Sequence, residues 1–467
     1  MLVRWILSVL ALAGLASLGV WFTYFHEPAP DARLACTYGA YDLSDGRTVV
    51  ISPSSGVQSL RFVFMDGDTG RLLPVAGQAG VPRRFAAGPG WAGETPIRTT
   101  AEFGACDEGT IRFAIDAKPA LTGTRRVFDF TDAAFDSHGQ RLYGRLVMPR
   151  LEGAIPVAVL VHGSERDSAV VFNRLQYLLP ANGIGVFVYD KRGTGKSQGA
   201  YTQDFDLLAD DAAAALTKAR QLAGALASEV GFQGGSQAGW IEPLAAMKVK
   251  ADFVLVGFGL AESVHAEDRE VVFDDLRAAG YGDDVLAKSR EVTDATAIML
   301  GSHFTTGFDE VDAVRAKYGH EPWFEKIKGQ YSGLILGYPT WLLRIAGPWF
   351  DVGTPIDYDP LPALEAYRGP QLWVLAGRDS VAPSRNTLRI LRDMQATHRN
   401  LDIVLFPTAD HGIVEFEERN GARVDTRFSN GYFQLIVDWL LFKETKVPVQ
   451  GPIVYDGSAA PASGDVP

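Results

Sequence analysis

The run Val230-Gly231-Phe232-Gln233-Gly234-Gly235-Ser236-Gln237-Ala238-Gly239-Trp240 constrains this chain more than any other stretch. A short apolar segment meets Gly-Gly-Ser-Gln-Ala-Gly, and the helix-forming stretch Ile241 to Met247 follows. Strand, one serine among small residues, then helix is the layout of a nucleophile elbow. The serine sits in a strained turn that only small neighbours tolerate, and its hydroxyl stands clear of the sheet. The N-terminus of the following helix favours negative charge that develops beside it. The usual pattern carries glycine two residues after the serine; here Ala238 stands there and Gly239 comes next, a mild departure. An ordinary strand-to-helix turn would also use glycines, so the reading needs partners elsewhere in the chain.

A serine nucleophile needs a base, an acid that orients the base, and donors for the oxyanion. Gln371 to Ala376 reads as a buried strand ending in the loop Gly377-Arg378-Asp379. Leu401 to Phe406 reads as the next strand, and its loop ends at Asp410-His411-Gly412. Asp379 and His411 therefore both fall just past the C-terminal ends of strands, the edge where open parallel sheets place their chemistry. Asp410 is a poorer acid, because adjacent side chains in a loop seldom converge on one imidazole; Asp357 and Asp359 are weaker alternatives. The continuous apolar run Ala154 to Val161, as expected of a strand covered on both faces, stops at His162-Gly163-Ser164. Gly163 lets the backbone turn an N–H toward the site, so the amides of Ser164 and Gln237 are the expected oxyanion donors.

These stretches, with Tyr189-Asp190-Lys191-Arg192-Gly193-Thr194-Gly195-Lys196-Ser197, form an ordered set that resembles the signature of α/β-hydrolase-fold serine hydrolases. The resemblance covers roughly residues 135–445 and is nearest to bacterial esterases, some described as acylaminoacyl-peptidase-like, that carry an extra N-terminal domain. It implies Ser236 as nucleophile, Asp379 as acid and His411 as base, in the chain order of that fold. On that order His162 is expected to shape its loop and not to serve as the base.

Asp190 to Ser197 ends in Gly-Lys-Ser and so imitates a phosphate-binding loop, but the motif wants glycine where Asp190 stands. The loop is better read as a buttress of the active edge, with Asp190 and Arg192 held by local hydrogen bonds. A net charge of −12 argues against nucleic-acid partners, which select basic surfaces. No Cys/His cluster has metal-ligand spacing, and no metal or organic cofactor is implied.

Trp5 to Phe25 is about 21 residues without a charge, long enough for a helix to span a hydrocarbon core. Arg4 on the short side favours an N-terminus left inside, with the body exported. Residues 1–32 are accordingly read as a membrane anchor, with a cleaved signal as the alternative. Residues 33–130 show short strand-like runs between turn signals such as Asp66-Gly67-Asp68-Thr69-Gly70, the pattern of a small antiparallel β domain. The chain's two cysteines, Cys36 and Cys106, both fall there, and export suggests a disulfide between them.

Asp129 to Pro149 reads as a hairpin that opens the hydrolase sheet, whose first part runs over 131–259 and second over 367–446. Between them, 260–366 is far longer than an ordinary crossover connection and reads as a helical cap. Its aromatic residues, Trp323, Phe324, Tyr331, Tyr338, Trp341, Trp349 and Phe350, either pack the cap or line an apolar acyl pocket. The tail 447–467 reads as flexible. The expected molecule is an exported serine hydrolase acting on a small-molecule carboxylic ester and tied to the membrane by its N-terminal segment; its oligomeric state is not legible. A serine peptidase with the same triad is the first rival, with Glu262, Glu267, Asp268 and Glu321 as candidate anchors for a peptide terminus. A catalytically idle binding protein is the second.

Overall fold

A computed structural model describes residues 28–445, apart from 79, 398 and 399, together with 453–455. The apolar stretch Trp5–Phe25 lies outside the described residues. Among the described residues, no helix is long and apolar enough to cross a membrane.

Eight antiparallel strands, from β1 (Gly39–Leu43) to β8 (Leu121–Arg125), close into a barrel in which β1 pairs with β8. Period-2 alternation turns one set of side chains inward. Phe62, Phe64 and Phe113 meet there edge to face, at ring separations between 5.3 and 6.0 Å. Closure leaves no unpaired sheet edge, which suits a domain with so small a core. A disulfide joins Cys36 and Cys106, whose Cα atoms lie 5.4 Å apart.

The large sheet begins with the hairpin β9 (Phe128–Ser137) and β10 (Gln140–Pro149). It continues through β11 (Ile155–Val161), β12 (Gly185–Tyr189), β13 (Ala227–Gly235), β14 (Val254–Gly257), β15 (Gln371–Ala376) and β16 (Leu401–Phe406). The spatial order of these eight is β9-β10-β12-β11-β13-β14-β15-β16, and β12 to β16 are joined by parallel pairing. The chain steps from β11 out to β12 and returns past it to β13, so the order reverses at β11. Crevices at such reversals are where open α/β sheets bind ligands. Parallel pairing also needs cover on both faces, and helices such as Phe205–Ala223 supply it. Asp204 caps that helix, accepting from the Leu207 amide at 3.1 Å.

Helices occupy most of 260–366 between β14 and β15, from Val264–Ala278 to Leu361–Ala366. Two further features depart from the sequence reading. After His411 a second hairpin forms, β17 (Val414–Arg419) and β18 (Ala422–Phe428), and it clasps the barrel. The Phe428 amide donates to the Gly67 carbonyl at 3.1 Å, and Trp91 packs edge-on to the Phe428 ring at 4.9 Å. Within the stretch read as a flexible tail, β19 (Ile453–Tyr455) pairs antiparallel with β16, because the sheet edge there offers unpaired backbone groups. The rest of that tail lies outside the described residues.

Candidate active site

Register brings the first two loops together. Val161, the last residue of β11, pairs with Gly234 in β13, so the loop His162-Gly163-Ser164 lies beside the serine turn. Ser236 has a φ of 57°, a left-handed conformation that L residues adopt only under constraint. Its amide is tied to the Gly257 carbonyl at 3.0 Å. Close packing explains its small neighbours: a Cβ on Gly235 would come within 2.3 Å of the Phe258 ring, and one on Gly239 within 2.9 Å of the Leu260 nitrogen. Ala238 is itself fully buried, so a methyl is accommodated where the usual pattern has glycine.

The same Phe258 reaches the histidine. Its ring stands edge-on to His411 with centroids 4.9 Å apart, linking the base of the serine turn to the imidazole. His411 Nδ1 lies 3.0 and 3.1 Å from the two carboxylate oxygens of Asp379. An ionised carboxylate only accepts, so Nδ1 carries the hydrogen and Nε2 is left with its lone pair. Asp379 is held in turn by the amides of Val381 and Ala382, at 2.9 and 2.7 Å. Burial by itself lowers the His411 pKa; the hydrogen bond and charge of Asp379, with Glu165 and Asp410, outweigh it and set the value above 6.5.

The competing residues are committed elsewhere. His162 Nε2 meets the Tyr189 carbonyl at 2.7 Å, and burial, then the charge of Lys191, press its pKa down. Asp410 braces three segments: it accepts from the Ser380 amide at 2.7 Å, from its neighbour's amide at 2.8 Å and from Arg423 at 2.6 Å. Asp357 faces His265 in the cap, and Asp359 caps the Leu361 amide. Asp190 fills its own loop, accepting from the Val170 and Lys196 amides at 3.1 and 2.9 Å. Arg192 forms a bidentate, buried pair with Asp211.

The expected oxyanion donors are available. Among the described residues, no acceptor takes the amide of Ser164 or of Gln237. Sequence reasoning missed the side chain that organises them. Lys191 is buried, and its ammonium donates both to the Gly163 carbonyl and to Gln237 Oε1. Its only sequence signal is its position, two residues past the end of a fully buried strand. Among the described residues, no group of three or more His, Cys, Asp or Glu side chains is arranged to hold a metal ion.

The family model for serine aminopeptidase S33 matches residues 154–246, which carry the Ser164 loop, Lys191 and Ser236 but neither Asp379 nor His411. A search of proteins with curated functions finds no significant sequence match. Among solved structures, an esterase of Pyrococcus furiosus is 14% identical over 61% of this chain and 84% of its own, with a TM-score of 0.40. An acylaminoacyl peptidase of Pyrococcus horikoshii is also 14% identical, over 87% of this chain and 57% of its own, with a TM-score of 0.41. Est1E of Butyrivibrio proteoclasticus, solved with ferulic acid, is 14% identical over 66% and 96%, with a TM-score of 0.36. With its strand order and its serine turn at the reversal point, the chain has the α/β-hydrolase fold, and its segment 154–246 is similar to the serine aminopeptidase S33 family.

Proposed function

We propose that this chain hydrolyses carboxylic esters through an acyl-enzyme. Ser236 attacks the acyl carbon as His411 Nε2 takes its proton, and Asp379 fixes the imidazole tautomer and offsets its positive charge. The oxyanion is held by the amides of Ser164 and Gln237. His411 returns the proton to the leaving alkoxide, then activates the water that releases the acid. The observation that carries this reading is the buried Asp379 carboxylate on His411 Nδ1, on an imidazole packed against the residue that underlies the serine turn. The experiment is labelling with a fluorophosphonate, with wild type labelled at Ser236 and Ser236→Ala unlabelled and inactive. Undiminished labelling at another serine would overturn the assignment.

A peptidase reading has one observation in its favour. Glu262 and Glu267 are buried carboxyls at the start of the cap, and burial, with neighbouring acids, raises both; Asp379 is among the groups acting on Glu267. Burial favours their neutral form, and a substrate ammonium beside them would favour ionisation and pair with the carboxylate so formed. Turnover of aminoacyl amides above that of matched acyl esters would favour it. We further propose that the chain works outside the cytoplasm, anchored through Trp5–Phe25; the Cys36–Cys106 bond supports this reading, since disulfides persist in oxidising compartments. Membrane fractionation with external protease tests it: a pelleted chain with an accessible body is expected, and a chain beginning near Asp31 would mean a cleaved signal.

A further inference from the structure

The cap's aromatic residues divide: Trp323, Phe324 and Tyr331 pack against its core, whereas Tyr338, Trp341, Trp349 and Phe350 are exposed. Trp323 is buried, but Trp341, Ile345 and Trp349, spaced four apart on the helix Thr340–Phe350, are 63%, 66% and 87% exposed. Spacing of four puts them on one face. Phe350, Leu334 and Tyr338, near them in sequence, are also each about half exposed or more. The opposite face is fixed: Leu343 and Gly347 are buried, and Gly347 lies so close to the Phe304 ring that a Cβ would come within 2.5 Å of it. Arg315 donates to the carbonyls of Ile335, Leu336 and Tyr338 and locks the preceding turn. The apolar face is therefore held outward on a rigid support.

The helix itself carries one cation, Arg344, and no acid. In a chain of net charge −12, residues 326–350 contain Lys326, Lys328 and Arg344, with Glu325 and Asp351 at the two ends and Asp312 bonded to Thr340. We propose that this face of the helix Thr340–Phe350 docks on an anionic lipid surface. Tryptophan and tyrosine favour the headgroup boundary, where one end of the ring is apolar and the other wet. Helices that lie in that boundary combine an apolar face with cations, and this helix offers Arg344 with Lys326 and Lys328 in the segment before it. A second copy of the chain fits less well, because a two-fold contact brings two faces with the same cation together.

The chain outside the described residues points the same way: Trp5–Phe25 is uncharged and of membrane-spanning length, so it would hold the body close to a bilayer. Both flanks of the patch touch the catalytic edge. Gln330 donates to the Val381 carbonyl at 2.8 Å, and the Gln203 amide to the Val352 carbonyl at 2.7 Å. Docking would bring the mouth of the site to the lipid. The inference does not depend on the reaction assigned to Ser236.

The test uses the full-length chain in vesicles of equal phosphatidylcholine and phosphatidylglycerol, with brominated acyl chains as quenchers of tryptophan emission. Trp341→Phe/Trp349→Phe keeps the face apolar and should lower the quenchable emission by about half, leaving that of Trp5 and Trp21 at the interface. Trp349→Asp should reduce quenching of Trp341, and Lys326→Glu/Lys328→Glu that of both Trp341 and Trp349, with circular dichroism unchanged. Equal quenching in wild type and the double Phe variant overturns the proposal. So does a wild-type dimer in detergent that Trp349→Asp splits, which would mean a second copy covers the face. Trp349 shielded from both water and quencher in a monomer would assign the face to the chain's own apolar segment, and overturns it equally.

Discussion

The ammonium of Lys191 donates to Gln237 Oε1 across 3.1 Å while also holding the carbonyl of Gly163. The Gly163 carbonyl and the Ser164 N–H belong to one planar peptide and point in opposite directions. Pinning the carbonyl therefore aims the N–H, and the second bond steadies the residue that follows the serine. One buried cation thus positions both candidate oxyanion donors. Burial lowers its pKa to about 8, against an upward pull from Glu165 and with Arg166 lowering it further.

Lys191→Met keeps the apolar stem and removes the donors. We expect kcat to fall by about 10- to 100-fold with KM little changed, less than the loss of an oxyanion donor outright. Wild type should also lose activity as pH rises through about 8, where the ammonium gives up its proton. Steady-state pH profiles check both points, and an alkaline limb that persists in Lys191→Met would remove Lys191 from the account.

The acid limb reports His411. A general base works only when neutral, so kcat/KM should climb with pH through a value above 6.5. Asp379→Asn removes the charge that raises this value and leaves burial to act against the imidazolium. The limb should then move to lower pH, while the plateau drops by about 10⁴ as the tautomer is lost. A variant with an unmoved limb would show that another group titrates.

Much of the candidate site's placement was legible because its loops interrupt apolar runs with small residues. Gly235-Ser236, Gly163-Ser164 and Gly377-Arg378-Asp379 each end a buried strand, and parallel pairing puts all such ends on one edge. Lys191 was not legible: a lysine in a loop is ordinarily solvated, and only the neighbouring strand's loop shows what it holds. The hairpin after His411 was missed because Glu415 to Phe428 is too charged to read as strands, although Asn420-Gly421, both at positive φ, is a strong two-residue turn signal. Closure of the barrel depends on β1 meeting β8, a contact between distant segments that local pattern cannot reveal. The cap aromatics were readable as a helix but not as to which side of it faced outward.

Glu242 lies beneath the serine turn, fully buried, with neither carboxyl oxygen given a partner among the described residues. Burial pushes its pKa well above 4.5. The folded state therefore holds this proton longer than the unfolded chain does, and the sign follows: the penalty is absent below 4.5 and grows as pH rises toward the folded value. Glu242→Gln keeps the shape and cannot ionise. Its melting temperature should match wild type near about pH 4 and exceed it by a few degrees near about pH 8. Calorimetry at the two values decides; a variant no more stable at the higher pH would mean that Glu242 is solvated or paired.

The Cys36–Cys106 bond closes a segment of 70 residues, from the turn before β1 to the loop after Thr99–Phe103. On the chain-entropy model a loop of that size is worth about 4 kcal/mol to the barrel. Arg125 of β8 donates to the carbonyls of both cysteines, so the bridge and the last barrel strand are joined at one place. Replacing both cysteines with serine should lower the barrel's melting temperature while room-temperature turnover stays near wild type, because Ser236, Asp379 and His411 lie in the large sheet's loops. Heat should separate the two bodies. The hairpin after His411 is held by the barrel through Gly67 and Trp91, and its Arg423 braces Asp410 beside the histidine. Loss of activity in the serine variant should therefore follow the barrel's transition and precede that of the hydrolase body. Parallel melting curves, read by turnover and by circular dichroism, check this; activity that survives the barrel's transition would mean the hairpin holds His411 without it.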